Sequence, residues 1–185
     1  MKKIILFLLP ILSLSFLVGC GQTKDKKEVN QVKETDPKDA LTYTFTLDEH
    51  DYRFKLLDGW IKFPNKDKTI VFLVANKDTK SFMSAGFEPK ETDLKNYSTS
   101  FTKKVEEASG KITKDPVKKE LNGLDSYYLN FNLKDNKDRN LTYKTYLVET
   151  KDYFINLAAW TSDEKPSEKV LEDLDKMLST FEQLK

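Results

Sequence analysis

The side chains that could do covalent or metal chemistry are few in kind. The chain has 185 residues, and among them one Cys and one His stand beside 31 Lys+Arg and 30 Asp+Glu. A lone thiol makes neither an intrachain disulfide nor a thiolate metal site, and the single imidazole of His50 excludes a His-cluster metal centre. His50 is also the only histidine that could serve as base to a nucleophile. It falls in the charged turn Asp48-Glu49-His50-Asp51 and reads as solvated. No spacing singles out a carboxylate pair of the glycosidase kind. Asp135-Asn136-Lys137-Asp138 lacks the alternation and the glycine of a calcium loop, so it reads as a hairpin tip. Glycine-rich phosphate loops, Gly-x-Ser-x-Gly and His-Glu-x-x-His are missing from the sequence. A formal charge of +1 gives no electrostatic footprint for nucleic acid. These observations predict a chain with no catalytic residues, metal or cofactor.

Aromatic residues are more suggestive, with 12 Phe, 8 Tyr and 2 Trp. Trp60 follows a glycine turn, Trp160 ends an apolar run, and Tyr128 sits in a Tyr-Tyr pair. All three are candidates to line a groove for a peptide, glycan or lipid partner. For the two tryptophans the competing reading is packing in the core or at an edge.

The first twenty residues read as a unit. Lys2 and Lys3 give a positive start, Ile4 to Leu9 begin an apolar run that continues through Pro10 to Phe16, and Leu17-Val18-Gly19-Cys20 closes it. That pattern is a secretion signal, too short and too interrupted for the roughly 20 apolar residues of a transmembrane span. Its end resembles the lipobox of bacterial lipoproteins. The resemblance implies cleavage before Cys20 and attachment of diacylglycerol to its sulfur. Two acyl chains, each buried methylene contributing about 0.8 kcal/mol, hold a protein on a bilayer without spanning it. Loss of Lys2 and Lys3 with the signal takes the formal charge from +1 to −1, which leaves adhesion to the lipid. Lysine outnumbers arginine 29 to 2, a bias common in low-GC Gram-positive genomes.

Gly21 to Asp39 alternates lysines with acids around Val29 and Val32 and buries too little to fold. It reads as a tether of roughly 60 Å maximum reach. Beyond it, strand patterns take over. Leu41, Tyr43, Phe45 and Leu47 alternate with polar residues, as do Tyr52, Phe54 and Leu56. Thr69 to Ala75 and Tyr153 to Trp160 are apolar at nearly every position, which predicts strands covered on both faces. Ser81 to Phe87 reads as a further strand. Asn122-Gly123 predicts a type I′ hairpin between Val117–Leu121 and Leu124–Leu133, and Leu141 to Glu149 pairs with the run beginning at Tyr153. Leu94, Tyr97, Phe101, Val105 and Ala108 give one helix, capped by Thr92 or Asp93 and stopped by Gly110. Val170, Leu171, Leu174, Met177, Leu178 and Phe181 give a second, with Pro166 in its first turn.

Hairpins with two separated amphipathic helices predict an α+β fold, an antiparallel β-sheet with helices on both faces. In order along the chain stand Tyr52-Arg53-Phe54-Lys55-Leu56-Leu57-Asp58-Gly59-Trp60, a helix opening at Asp93-Leu94, Leu121-Asn122-Gly123-Leu124-Asp125-Ser126-Tyr127, Tyr153 to Trp160, and a last helix ending Ser179-Thr180-Phe181. This series resembles the Mog1/PsbP-like α/β/α sandwich over nearly the whole body, with Leu57 where those proteins often carry proline. The resemblance implies a curved sheet and no single activity, since such domains serve in nuclear transport, in photosystem II and as bacterial lipoproteins. The organisation expected is a signal peptide over 1–19, a lipidated Cys20 and disordered tether over 20–39, and one domain over 40–185. Its expected work is that of a lipid-anchored, extracytoplasmic, non-catalytic binding or accessory module for an envelope protein, glycan or lipid. A small cell-envelope hydrolase is the alternative.

Overall fold

The computed structural model describes residues 42–47, 49–65 and 70–184. The signal, Cys20 and the tether lie outside them, as do Leu41 and Thr69, where two predicted strands begin. Along the chain come β1 (Thr42–Leu47), β2 (His50–Lys55), β3 (Trp60–Lys62), β4 (Ile70–Asn76), β5 (Ser81–Pro89), α1 (Leu94–Glu107), β6 (Lys111–Leu121), β7 (Leu124–Lys134), β8 (Asn140–Glu149), β9 (Tyr153–Thr161), α2 (Glu168–Ser179) and β10 (Glu182–Gln183). Seven strands form an antiparallel sheet in the order β3-β4-β5-β9-β8-β7-β6, and β1-β2-β10 form a second, smaller one.

Residue alternation along the central strands feeds two cores. On β9, Ile155, Leu157 and Ala159 enter one core while Phe154, Ala158 and Trp160 enter the other. The same split places Phe72 and Val74 of β4 opposite Leu73. Strands of this kind are stable only where both faces are covered. One face is covered by α1, whose Leu94, Tyr97, Phe101 and Val105 are buried among Leu129, Phe131, Tyr143 and Phe154. Against the other face lie Leu174, Met177 and Leu178 of α2, with Phe181 just beyond it and the small sheet beside them. The α+β class and the two-sided helical cover expected from the sequence are both present. Fully burying one such side chain contributes roughly 1.5–3 kcal/mol.

The small sheet turns its aromatic side inward. Phe45 stacks on Tyr52 at 5.4 Å, Tyr52 on Phe181 at 5.6 Å, and Phe54 meets Phe72 at 4.5 Å between ring centroids. Alternation in β1 and β2 announces the buried face but not the neighbouring strand. That these two leave the main sheet and pair with β10 was therefore not readable.

Turns and caps follow the sequence with three corrections. Asn122 and Gly123 carry φ of 49° and 88°, the two positive values of the predicted hairpin. Asp93 caps α1, its Oδ1 accepting from the Asn96 N–H at 2.8 Å. At the other end it is Ser109, at φ 62°, that takes the left-handed turn expected of Gly110. Gly110 is needed for closeness instead, since a Cβ there would lie 2.7 Å from Cγ1 of Val105. Pro166 stands before the N-cap Ser167 and not inside the first turn of α2. Lastly, β6 begins at Lys111, six residues ahead of the predicted strand. Two register shifts between Ile112 and Val117 break its period, and its largely exposed Lys, Asp and Thr side chains hide it from a hydrophobic reading.

The β6–β7 turn also ties down the C-terminal segment. Asn122 Nδ2 donates to the carbonyls of Ser179 at 2.9 Å and Phe181 at 2.7 Å. Asn122→Gly keeps the positive φ but deletes both bonds, and is expected to destabilise the protein by about 1–3 kcal/mol, read from the midpoint of urea unfolding.

Candidate functional site

Trp60 is 4% and Trp160 is 3% exposed, and they belong to opposite cores. Neither lines an open groove. Trp160 is stacked between Phe82 and Tyr143, with centroids 5.4 Å away on each side, because its place on β9 turns it into the core on the α1 side of the sheet. Trp60, held by its N–H to the Leu57 carbonyl at 3.2 Å, turns into the core shared with α2. The packing reading accounts for both. His50 opens β2 opposite Leu47, so it stands at the strand end and not inside the turn that the sequence placed over 48–51. No group of three or more His, Cys, Asp or Glu side chains among the described residues is placed to hold a metal ion.

The Asp135 tip is an internally closed turn. Asp135 Oδ1 accepts from the N–H groups of Lys137 and Arg139, and Oδ2 receives Arg139 Nε at 2.7 Å. Burial pushes this carboxyl up, but the Arg139 side chain and the two backbone donors outweigh it and hold the group below its usual range. Its lone pairs are already engaged by the protein.

Tyr128 leads to a different arrangement. It lies on the α2 side of β7, directly across from Val117 of β6 and Tyr146 of β8. Cross-strand neighbours share a face, so the register also puts Asn130 beside Lys114 and Lys144, and Ser126 beside Lys119. The Tyr128 hydroxyl donates to Asp175 Oδ1 of α2 at 2.6 Å, and the Lys144 ammonium donates to Oδ2 of the same carboxylate. Above the tyrosines sit two more cations. Lys114 Nζ is 4.8 Å and Lys119 Nζ 5.4 Å from the Tyr128 ring centroid, and Lys119 is 5.5 Å from that of Tyr146. Neither forms an ion pair with an acid among the described residues, whereas Lys118, on the opposite side of β6, pairs with Asp125.

Three ammonium groups and one carboxylate thus meet over two phenols. Lys144 is recessed at 11% side-chain exposure while Asp175 is 45% exposed, so the carboxylate forms the rim and the lysine the floor. Asn130 Oδ1 is buried beside them without a hydrogen-bond partner. Val117, at 51%, is one of two large apolar side chains left exposed among the described residues. The Tyr128 phenol is held protonated by burial first, then by its bond to Asp175 and the charge of that carboxylate, with Asn130 opposing weakly. It acts as a donor and not as a base. Sequence reading found Tyr128 but not Lys114, Lys119, Lys144 or Asp175. Only strand register and the seating of α2 gather them, and lysine is too abundant in this chain for any one to stand out.

No family model matches the chain, and no curated protein matches it. Among solved structures, the chain is similar to the cyanobacterial PsbP protein CyanoP of Synechocystis, at TM-score 0.56 and 15% identity, over 82% of this chain and 98% of that one. It is also similar to LpqN of Mycobacterium tuberculosis, a protein involved in cell envelope biogenesis, at TM-score 0.50 and 12% identity, over 72% of this chain and 83% of that one. At these identities the likeness is one of fold, and the PsbP-like architecture expected from the sequence is the one found.

Tyr97, Tyr128 and Tyr143 all have phenols raised by burial, the first two also by a neighbouring carboxylate that accepts their hydrogen bond and the third by the charge of Asp135. Each folded phenol keeps its proton where the unfolded one releases it. Stability from these groups is whole below about pH 10 and falls as pH rises beyond that value. Denaturation midpoints measured on either side of pH 10 are expected to drop, and to drop less steeply in Tyr128→Phe.

Proposed function

We propose that this chain is a lipid-anchored, extracytoplasmic lipoprotein whose body is a non-catalytic binding or accessory module for a cell-envelope partner. The anchor follows from Leu17-Val18-Gly19-Cys20 at the end of a short apolar run behind two lysines. For the body, the carrying observation is the face of β6 and β7 around Tyr128. It presents charged, aromatic and apolar groups together, with Lys114 and Lys119 lacking an acidic partner among the described residues. Such a surface recognises by complementarity. The polar side chains gathered there are donors and ion-pair partners, a set that suits binding. That LpqN, of the same fold, is involved in cell envelope biogenesis agrees with this assignment.

Mechanically the module works by confinement. A body held on a tether within roughly 60 Å of the bilayer meets membrane or wall partners at raised effective concentration, so modest affinity suffices. The expected behaviour is simple to measure. Wild-type protein partitions with membranes and carries acyl mass on Cys20, while Cys20→Ala is found in the medium or the soluble fraction and fails to support whatever envelope phenotype loss of the protein causes. An unprocessed, unacylated wild-type chain in the cytosol would refute the assignment.

A further inference from the structure

We infer that the face formed by Lys114, Val117, Lys119, Tyr128 and Lys144 docks an extended acidic segment of a partner protein, and that Asp175 holds the place of one of that segment's carboxylates. This rests on the reading of the body as a binding module and names its partner's chemistry; it does not depend on the anchor.

Four observations converge. First, the face already binds a carboxylate: Tyr128 Oη and Lys144 Nζ each donate to one oxygen of Asp175. The donors are therefore arranged for a planar acid group supplied from the α2 side. Second, the charge is not balanced, because Asp175 answers Lys144 while Lys114 and Lys119 have no acid among the described residues. Their ammonium groups rest on tyrosine faces, which orients them but leaves them with positive charge to share with an anion. Third, Val117 lies between those two lysines in sequence and is half exposed, offering an apolar contact flanked by cations. A partner with an apolar side chain between acids would match that order. Fourth, the buried Asn130 Oδ1 is unpartnered, so the site holds an acceptor for a backbone or side-chain N–H as well. A bare phosphate or a phosphodiester chain has no apolar group for Val117, which favours polypeptide.

Backbone pairing is a minor part of this. β6 is the last strand of its sheet, but Pro116 lacks an N–H and two register shifts interrupt the strand, so it is a poor template for a long added one. Side chains do the recognising. Asp175, partly exposed on its helix, then competes with the incoming acid for Lys144 and Tyr128, weakening binding when the face is empty and guarding two buried donors from being left unpaired.

The test uses the purified protein and isotope-edited NMR titration with a synthetic peptide in which leucine is flanked by glutamates. Expected are shifts at Lys114 to Lys119 and Tyr128, and an affinity that falls with salt. Lys114→Gln with Lys119→Gln should weaken binding about fivefold with an unchanged unfolding midpoint. Asp175→Asn should tighten it, which a purely structural ion pair would not do. A lysine-flanked leucine peptide should not bind. The inference is overturned if the acidic peptide leaves these resonances unmoved, if Asp175→Asn only weakens binding, or if a glycerol-phosphate polymer or anionic vesicles shift the same residues more strongly than the peptide. Each of those results leaves the acylation of Cys20 and the envelope location to be decided separately.

Discussion

Strands that are greasy on both sides impose the architecture. A β-strand offers its two faces to two different places, and β4, β5, β8 and β9 carry apolar residues toward both. Two independent covers must then be supplied. The first is simple, one helix laid across β6, β7 and β8 with Tyr97 stacked at 4.2 Å on Phe154. The second is composite. α2 is too short to shield the whole of the other face, and the small sheet with its row of phenylalanines and tyrosines completes it.

That composite cover explains where the polar face arises. α2 lies over β8 and β9 and the small sheet stands on the β4 side, so the far strands receive only the margin of the cover. At this margin the interior passes into solvent through a graded series: Leu174 fully buried, Tyr128 nearly so with its hydroxyl satisfied, Lys144 recessed, Asp175 and Val117 open. A tyrosine suits such a boundary because one end of it is apolar and the other demands a partner. The lysines extend the same logic, with their stems over rings and their charges outward.

How much of this could be read beforehand depends on whether the information is local. Period-two and period-three-to-four patterns are local, and they located most of the strands, both helices and the turn at Asn122. The doubly apolar character of β4 and β9 even announced two cores. Pairing across long sequence distances is not local. Nothing in Phe45 or Tyr52 says that Phe181 will stack beside them, and nothing in Asp175 says that it will meet Tyr128. The first half of β6, residues 111–116, exposed, charged and irregular, escaped because its signal is weak on both counts, while Val117–Leu121 was legible from the turn that follows it. For the tryptophans the sequence leaves groove and packing readings side by side for a related reason, since large aromatics mark cores and binding surfaces alike and only the register decides for packing. Glycine misled in a smaller way, as Ser109 accepted the strained turn while Gly110 was kept for proximity.

The pairing of β10 with β2 has one more effect. The Arg53 side chain meets Glu182 across 129 positions, and Phe181 stacks on Tyr52, so nearly the first and nearly the last parts of the body complete one structure. Because loop-closure entropy grows only slowly with loop length, a pairing of such span is no great burden, and a chain lacking residues 181–184 would leave one edge of β2 unpaired and take Phe181 out of the core.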